Sequence, residues 1–205
     1  MTIRKGEAWG HPGALAEDGV VVASDHAAAD VVERARREGR PYPALGLVGG
    51  DLCRTLGGTG GNGGAGRLRT SDAVTFPVDL GEVLVDGRLH FFVAHLVARN
   101  RWWTRAFVAM NAQWVGGLNL GPRAHPNDGL LDTYDARLGI TDVVKVRARA
   151  GAGAHLPHPG IKERRVPAAQ VGFDRPLTVW LDGVRLGPAR SLSVRVEADA
   201  LTVVV

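Results

Sequence analysis

Cysteine is nearly absent from this 205-residue chain: Cys53 stands alone, so no internal disulfide framework can form. Lysine is almost as scarce, confined to Lys5, Lys145 and Lys162, and arginine carries nearly all the positive charge. The net charge of +4 comes from 25 basic residues spread among 21 acids, without a single-sign block. Such a surface is expected to be solvated, and no nucleic-acid partner is expected. No stretch approaches the roughly 18 apolar residues that a membrane span requires. The opening MTIRKGEAWGHPG has no apolar segment of the signal-peptide kind. A reducing, cytoplasmic location is the expectation, with any membrane contact peripheral. The chain has only four serines, none in a nucleophile elbow, which removes serine-triad chemistry.

Glycine and proline are plentiful instead, at 28 and 11, which favours a turn-rich, strand-rich body. Residues 1–19 read as a polar arm. Over 20–57 the pattern is strand, helix, strand, helix. Gly19 to Ala23 is a short buried strand, and Ser24 or Asp25 caps a helix over Ala27 to Glu38. A second strand runs from Ala44 to Val48, and Asp51 caps a helix through Leu56. That unit is too small to bury its own sheet and is expected to lean on the rest. Residues 58–72, opening on GTGGNGGAG, read as a glycine-rich flexible linker. No Lys and Ser or Thr follow in the P-loop manner, so a phosphate cradle is not indicated there.

From residue 73 to 205 the periodicity predicts strands. They are Val74–Val85 and Arg88–Val97 around an Asp86-Gly87 turn, Thr104–Gln113, Asp132–Leu138, Val143–Ala150, Val166–Phe173, Leu177–Leu181, Ser191–Glu197 and Leu201–Val205. The fold class expected is α+β: an antiparallel, β-sandwich-like or barrel domain with a small N-terminal α/β unit. Trp102-Trp103, followed by Trp114, suits an apolar pocket or a membrane-interface belt; core packing is the commoner fate of such residues, with one ring of the pair expected to be exposed. His155 and His158 straddle Leu156-Pro157 and read as loop residues, not zinc ligands. Cys53 reads as a buried structural thiol.

The turn Pro126-Asn-Asp-Gly-Leu-Leu-Asp132 carries the densest chemistry. The Asp128 carboxylate, with the carbonyls of His125 and Leu130, is a donor set for Mg2+ or Ca2+. A plain Asx turn is the alternative.

The run Leu120-Gly-Pro-Arg-Ala-His-Pro-Asn-Asp-Gly-Leu-Leu-Asp132 resembles the signature of the diacylglycerol kinase catalytic family, which includes bacterial lipid kinases. Three further blocks resemble it in order: Val20 to Ala27, Leu45 to Gly57 and Leu177 to Gly183. The resemblance implies a shortened member, with Arg99 to Arg105 bridging a gap where the family has a helical stretch. It places Asp25 in the nucleotide loop, Asp51 in the second phosphate-facing segment and Asp182 beside the catalytic base. The departures matter equally. Ala23, Ser24 and His26 replace the family's loop glycines, and Val184 stands where the family has its base Glu. Valine cannot accept a proton. Asp182-Gly183 therefore reads first as a hairpin turn.

The function expected is a divergent, non-catalytic lipid-kinase-family protein that binds a lipid or amphipathic ligand. An active ATP-dependent lipid kinase is one alternative. A structural or homo-oligomerising module is another. The residues carried forward are Asp182 and Asp51 as catalytic candidates, Asp25 as a cofactor contact, and His125, Asp128 and Leu130 as metal ligands. Mg2+ or Ca2+ is the cofactor expected, and the eroded loops argue against ATP.

Overall fold

The computed structural model describes residues 9–58 and 64–205. In chain order the elements are β1 (His11–Pro12), β2 (Val20–Val22), α1 (Asp25–Arg37), β3 (Leu45–Leu47), α2 (Asp51–Thr55) and α3 (Gly64–Arg67). Then come β4 (Val74–Val85), β5 (Arg88–Phe92), β6 (His95–Arg99), β7 (Arg105–Met110), β8 (Trp114–Val115), β9 (Leu118–Asn119) and β10 (Leu131–Arg137). The chain closes with α4 (Ile140–Ala150), β11 (Ile161–Val166), β12 (Ala168–Leu181) and β13 (Val184–Val204).

Most strands form one antiparallel sheet in the order β1-β4-β13-β12-β6-β7-β10-β11, with β5 also paired to β4. It folds over an interior filled by Phe92, Leu96, Phe107, Leu131, Val179, Leu192 and Val194, as a sandwich requires. The β4–β5 and β12–β13 turns both use Asp-Gly. Asp86 and Gly87, and Asp182 and Gly183, have positive φ at both positions, the geometry whose twist suits a two-residue hairpin. The hairpin reading of Asp182-Gly183 is thus correct in its backbone.

The N-terminal unit matches its reading closely. Ser24 caps α1 by accepting the Ala27 N–H at 3.2 Å. Strands β2 and β3 pair in parallel, and β3 then pairs in parallel with the end of β13, extending the main sheet. Its core is shared: Val32, Leu45 and Leu52 pack in one cluster with Leu80, Phe91 and Leu201. The unit leans on the sandwich as expected, without a separate core.

Several expectations are corrected. Val143–Ala150 is helical, as part of α4. Val144, Val146, Ala148 and Ala150 alternate as in a strand, but Val143, Val146 and Ala150 also recur at helical spacing. Asp142 in the first turn and Arg147 and Arg149 in the last suit the helix dipole. Arg88–Val97 is two strands, because the chain bends at Val93-Ala94 to leave β4 and join β7 and β12. Thr104–Gln113 is shorter, and a small β8–β9 hairpin follows it. The last four predicted strands merge into β12 and β13, with register shifts after Gly172 and after Glu197.

Residues 64–72 are not a loose linker: α3 lies there, Leu68 is buried beside Leu15, and Arg69 donates to the Ala16 carbonyl at 2.7 Å. The remainder of the glycine tract, 59–63, lies outside the described residues. The described part of the arm is also docked, with Trp9 against Phe76 and His125 and β1 paired to β4.

Candidate functional site

Where the N-terminal unit meets the sandwich, three predicted acids converge, and His95 joins them. Asp25, at the start of α1, accepts the Asp51 N–H at 2.6 Å and the Leu52 N–H at 3.1 Å. Its carboxylate therefore sits on the first amides of α2, where a phosphate would otherwise be received. Gly50 makes this approach possible. Its φ is +99°, and a Cβ there would lie 2.4 Å from Asp25 Oδ1. Burial, helped by the charge of Asp182, pushes the Asp25 carboxyl up to about 6.

Asp51 accepts the Gly116 N–H at 2.8 Å and meets His95 Nε2 at 3.0 Å. Burial acts to raise the Asp51 pKa, but His95 and the Gly116 amide outweigh it and hold the carboxyl below its ordinary value. His95 is the converse case. Burial pulls its pKa down, yet the bond to Asp51 and the nearby acids bring it above the usual histidine value. Its Nδ1 is buried without a hydrogen-bond partner among the described residues.

Asp182 reaches back from the β12–β13 turn and accepts three consecutive amides, Val93 at 2.8 Å, Ala94 at 2.9 Å and His95 at 3.0 Å. Those amides lie at the bend between β5 and β6, so the carboxylate pins that bend. Burial raises its pKa against the opposing pull of His95 and the three amides. Val184, at the position of the family's base, is exposed two residues on. It lines a shallow recess with His26, Asp30, Glu33, His90 and Arg185. Asp25, Asp51 and Asp182 are therefore brought together, but each carboxylate is engaged by backbone amides of the chain itself.

The donor set at the Asp128 turn does not suit a divalent ion. Asp128 Oδ1 accepts the Leu130 N–H at 2.9 Å, an Asx turn, and Oδ2 pairs with the Arg165 guanidinium. Arg165 also reaches Asp132 at 3.2 Å. Asp79 accepts the Gly129 N–H at 2.7 Å and the Asp199 N–H at 2.9 Å. His125 uses its ring, with Nδ1 accepting the Asn127 N–H at 3.2 Å. A guanidinium already supplies the positive charge that a cation would bring. Among the described residues no group of three or more His, Cys, Asp or Glu could hold a metal ion.

A second site lies on the other face of the sandwich, where α4 covers β7, β10 and β11. Between helix and sheet is an apolar cavity of about 710 Å³, open solvent at its mouth included. Val108, Tyr134 and Ala136 form its floor, and Val143, Val146 and Ala150 form its roof. Trp103 closes one side and Arg147 stands among the lining residues. His155 is the other polar lining residue of note. It is only 6% exposed, and its Nδ1 has no hydrogen-bond partner among the described residues. Burial lowers its pKa, partly offset by a bond to the Leu120 backbone.

Trp103 therefore takes the pocket role foreseen for this pair, while Trp102 is 62% exposed. Residues 72–205 match the family described as the YegS C-terminal NAD kinase beta sandwich-like domain. The chain belongs to this family. The matched span takes in the Leu120–Asp132 and Leu177–Gly183 blocks. Solved structures from Bacillus anthracis str. Sterne share the fold. One, provisionally named a diacylglycerol kinase, superposes with a TM-score of 0.69 at 14% identity, over 91% of this chain and 77% of that one. Another, named a diacylglycerol kinase, gives 0.57 at 14% identity, over 79% and 69%. A comparison with curated proteins gives no match.

Sequence reasoning missed the partners that matter most. On a single Arg88–Val97 strand, His90 and His95 would lie on opposite faces and share no ligand. The bend at Val93-Ala94 reorients His95 toward Asp51. The cavity was hidden because its roof was read as a strand, and His155 because only metal chemistry was considered for it. The one available signal was the helical recurrence of Val143, Val146 and Ala150.

Proposed function

We propose that this chain is a non-catalytic member of the lipid-kinase family that binds the apolar chain of a lipid or similar amphiphile in the cavity beneath α4. The observation that supports the reading is an almost wholly apolar cavity beneath α4 whose lining includes His155 and Arg147. Apolar walls remove the tail from water at roughly 0.8 kcal/mol per methylene. The few polar groups set orientation: His155 accepts from a hydroxyl, and Arg147 attracts an anionic head.

Phosphoryl transfer has little support from the polar cluster. It requires amides directed at the phosphates and a base at the acceptor hydroxyl. Here Asp25 takes the α2 amides, Asp182 takes the amides of the β5–β6 bend, and Val184 offers no base. The His95–Asp51 pair resembles a proton-transfer dyad, but the second ring nitrogen is buried and has no hydrogen-bond partner among the described residues. A metal-bound nucleotide would supply the phosphoryl group and charge neutralisation, and the described residues offer little of a cradle for it.

Native mass spectrometry of the purified protein tests the reading. A co-purified amphiphile that is released on organic extraction is expected, together with no transfer of radiolabelled phosphate from ATP to a panel of lipids. Turnover that disappears in Asp182→Asn, at unchanged stability, would overturn it in favour of an active kinase.

A further inference from the structure

The mouth of the cavity is built as a surface of its own. The β6–β7 turn and the start of α4 are tied together by the Leu138 N–H donating to the Thr104 carbonyl at 2.9 Å. Trp102 lies on that turn, and Ile140 and Val144 lie on the first turns of α4. All three are large and exposed: 62%, 57% and 64%. Ile140 and Val144 are four residues apart on one helix and share a face, and Arg147 continues that face toward the cavity. Most exposed apolar side chains stand singly and require no explanation, but a cluster rimmed by charge does.

The rim is cationic. The Arg101 guanidinium lies 5.1 Å from the centre of the Trp102 ring. Arg99 is held between Trp103, at 4.6 Å, and Trp180, at 4.3 Å. Burial and the nearby charge of Arg147 depress the Arg99 pKa, which places two guanidiniums in each other's field. The nearby acids are occupied: Asp135 pairs with Arg105, and Asp142 with Lys145 at 3.6 Å. Arg99, Arg101 and Arg147 form no ion pair among the described residues. An exposed indole beside aliphatic side chains, ringed by uncompensated arginines, matches the layered chemistry of a bilayer interface: apolar below, anionic phosphates above.

We infer that the β6–β7 turn and the first turns of α4 dock this protein on an anionic membrane surface, with Trp102, Ile140 and Val144 entering the interface and Arg99, Arg101 and Arg147 meeting lipid phosphates. The surface adjoins the proposed lipid cavity and takes its purpose from that reading, but its chemistry stands on different residues. Docked this way, the cavity mouth faces the membrane, and an apolar chain can pass between bilayer and cavity with little exposure to water.

Co-sedimentation with large unilamellar vesicles tests it, comparing pure phosphatidylcholine with a mixture holding roughly one-third phosphatidylglycerol, an anionic lipid. The full chain is expected to bind the anionic vesicles at least about fivefold better than the neutral ones, and less well as salt is raised. Arg101→Ser is expected to weaken anionic binding about fivefold, from the attraction contributed by one basic residue. The pair Trp102→Ser and Ile140→Ser is expected to weaken binding to both kinds of vesicle, with folding checked by circular dichroism. Val146→Trp, which fills the cavity, is expected to leave vesicle binding intact while losing a fluorescent fatty acid. If vesicles bind and the fatty acid does not, the cavity reading fails alone. Equal binding to neutral and anionic vesicles overturns the docking surface, as does unchanged binding in the Trp102 and Ile140 pair. A dimer in solution that Trp102→Ser dissolves also overturns it, because the patch would then be an interface between copies.

Discussion

Replacing Asp182 by alanine separates a structural carboxylate from a catalytic one. The residue is 8% exposed and accepts three amides, at 2.8, 2.9 and 3.0 Å, from the bend that leads β5 into β6. Each bond to a charged acceptor contributes about 1.5–3 kcal/mol, and alanine would leave three donors without a partner. The contributions do not add, because the three bonds share one carboxylate that is itself costly to bury. A net loss of about 3–5 kcal/mol is therefore expected, the scale seen when one partner of a buried charged pair is removed. Against a total of about 5–15 kcal/mol that is a large fraction. Asn at this position keeps one oxygen acceptor but turns an NH2 group toward an amide, so about half the loss is expected. Urea unfolding at neutral pH measures both. Asp182→Ala is expected to move the midpoint strongly at an unchanged slope. A loss below about 1 kcal/mol, the worth of one ordinary hydrogen bond, would refute the clamp and return Asp182 to the catalytic candidates.

Asp128→Ala is expected to cost about 1–3 kcal/mol, from the lost Leu130 bond and Arg165 pair, while a chelator leaves thermal stability unchanged. A drop on chelation would restore the metal reading. Stability is also expected to fall as pH rises from about 4 through about 6, on account of Asp25 and Asp132, both raised to about 6. A carboxyl with a raised folded-state pKa favours the fold when protonated. Its contribution is full below the unfolded value of 3.8 and is lost as pH rises through about 6, at a scale of about 3 kcal/mol per group. His95 acts in the same direction through its own raised pKa; Asp51, with a lowered pKa, acts oppositely as the solution turns strongly acid, and His125 and His155, lowered by burial, offset part of the trend below the unfolded histidine value. Denaturant midpoints across this range should show a shallower slope in Asp25→Asn, and an unchanged slope would count against the assignment. Calorimetric titration with Mg-ATP is expected to give no binding at concentrations up to about 1 mM, the upper end of working enzyme affinities. A measurable dissociation constant below that would show that Asp25 yields the α2 amides to phosphate.

The sheet-rich body and the α/β remnant were legible because their signals are local. Asp-Gly turns at Asp86 and Asp182, the cap at Ser24 and the buried runs at Val20 and Leu45 each act over a few residues. The three acids were legible only through their resemblance to family motifs, and that resemblance said nothing of their partners. Asp182 finds Val93, Ala94 and His95 almost ninety residues upstream, and Asp25 finds α2 across a parallel strand pair. Such pairings are set by tertiary topology, which periodicity does not encode. The segment at α4 failed for a different reason: its alternating valines and arginines satisfy two periods at once, and burial against the sheet decides between them. The Asp128 turn was read correctly as a turn, but its counter-charge, Arg165, comes from the neighbouring strand β11.

The cavity beneath α4 is the centre of the functional account, and titration of a fluorescent long-chain fatty acid into the purified, delipidated protein tests it most directly. Saturable binding with a dissociation constant on the order of 1–10 μM is predicted, since several kcal/mol of tail burial must exceed the cost of association. Val146→Trp, which fills the roof of the cavity, should abolish that binding while leaving thermal stability within a few degrees of the parent protein. His155→Phe should weaken a hydroxylated chain more than an unsubstituted one, because it removes the unpartnered ring nitrogen. Binding that persists undiminished in Val146→Trp, or its absence in the parent protein, would contradict the account.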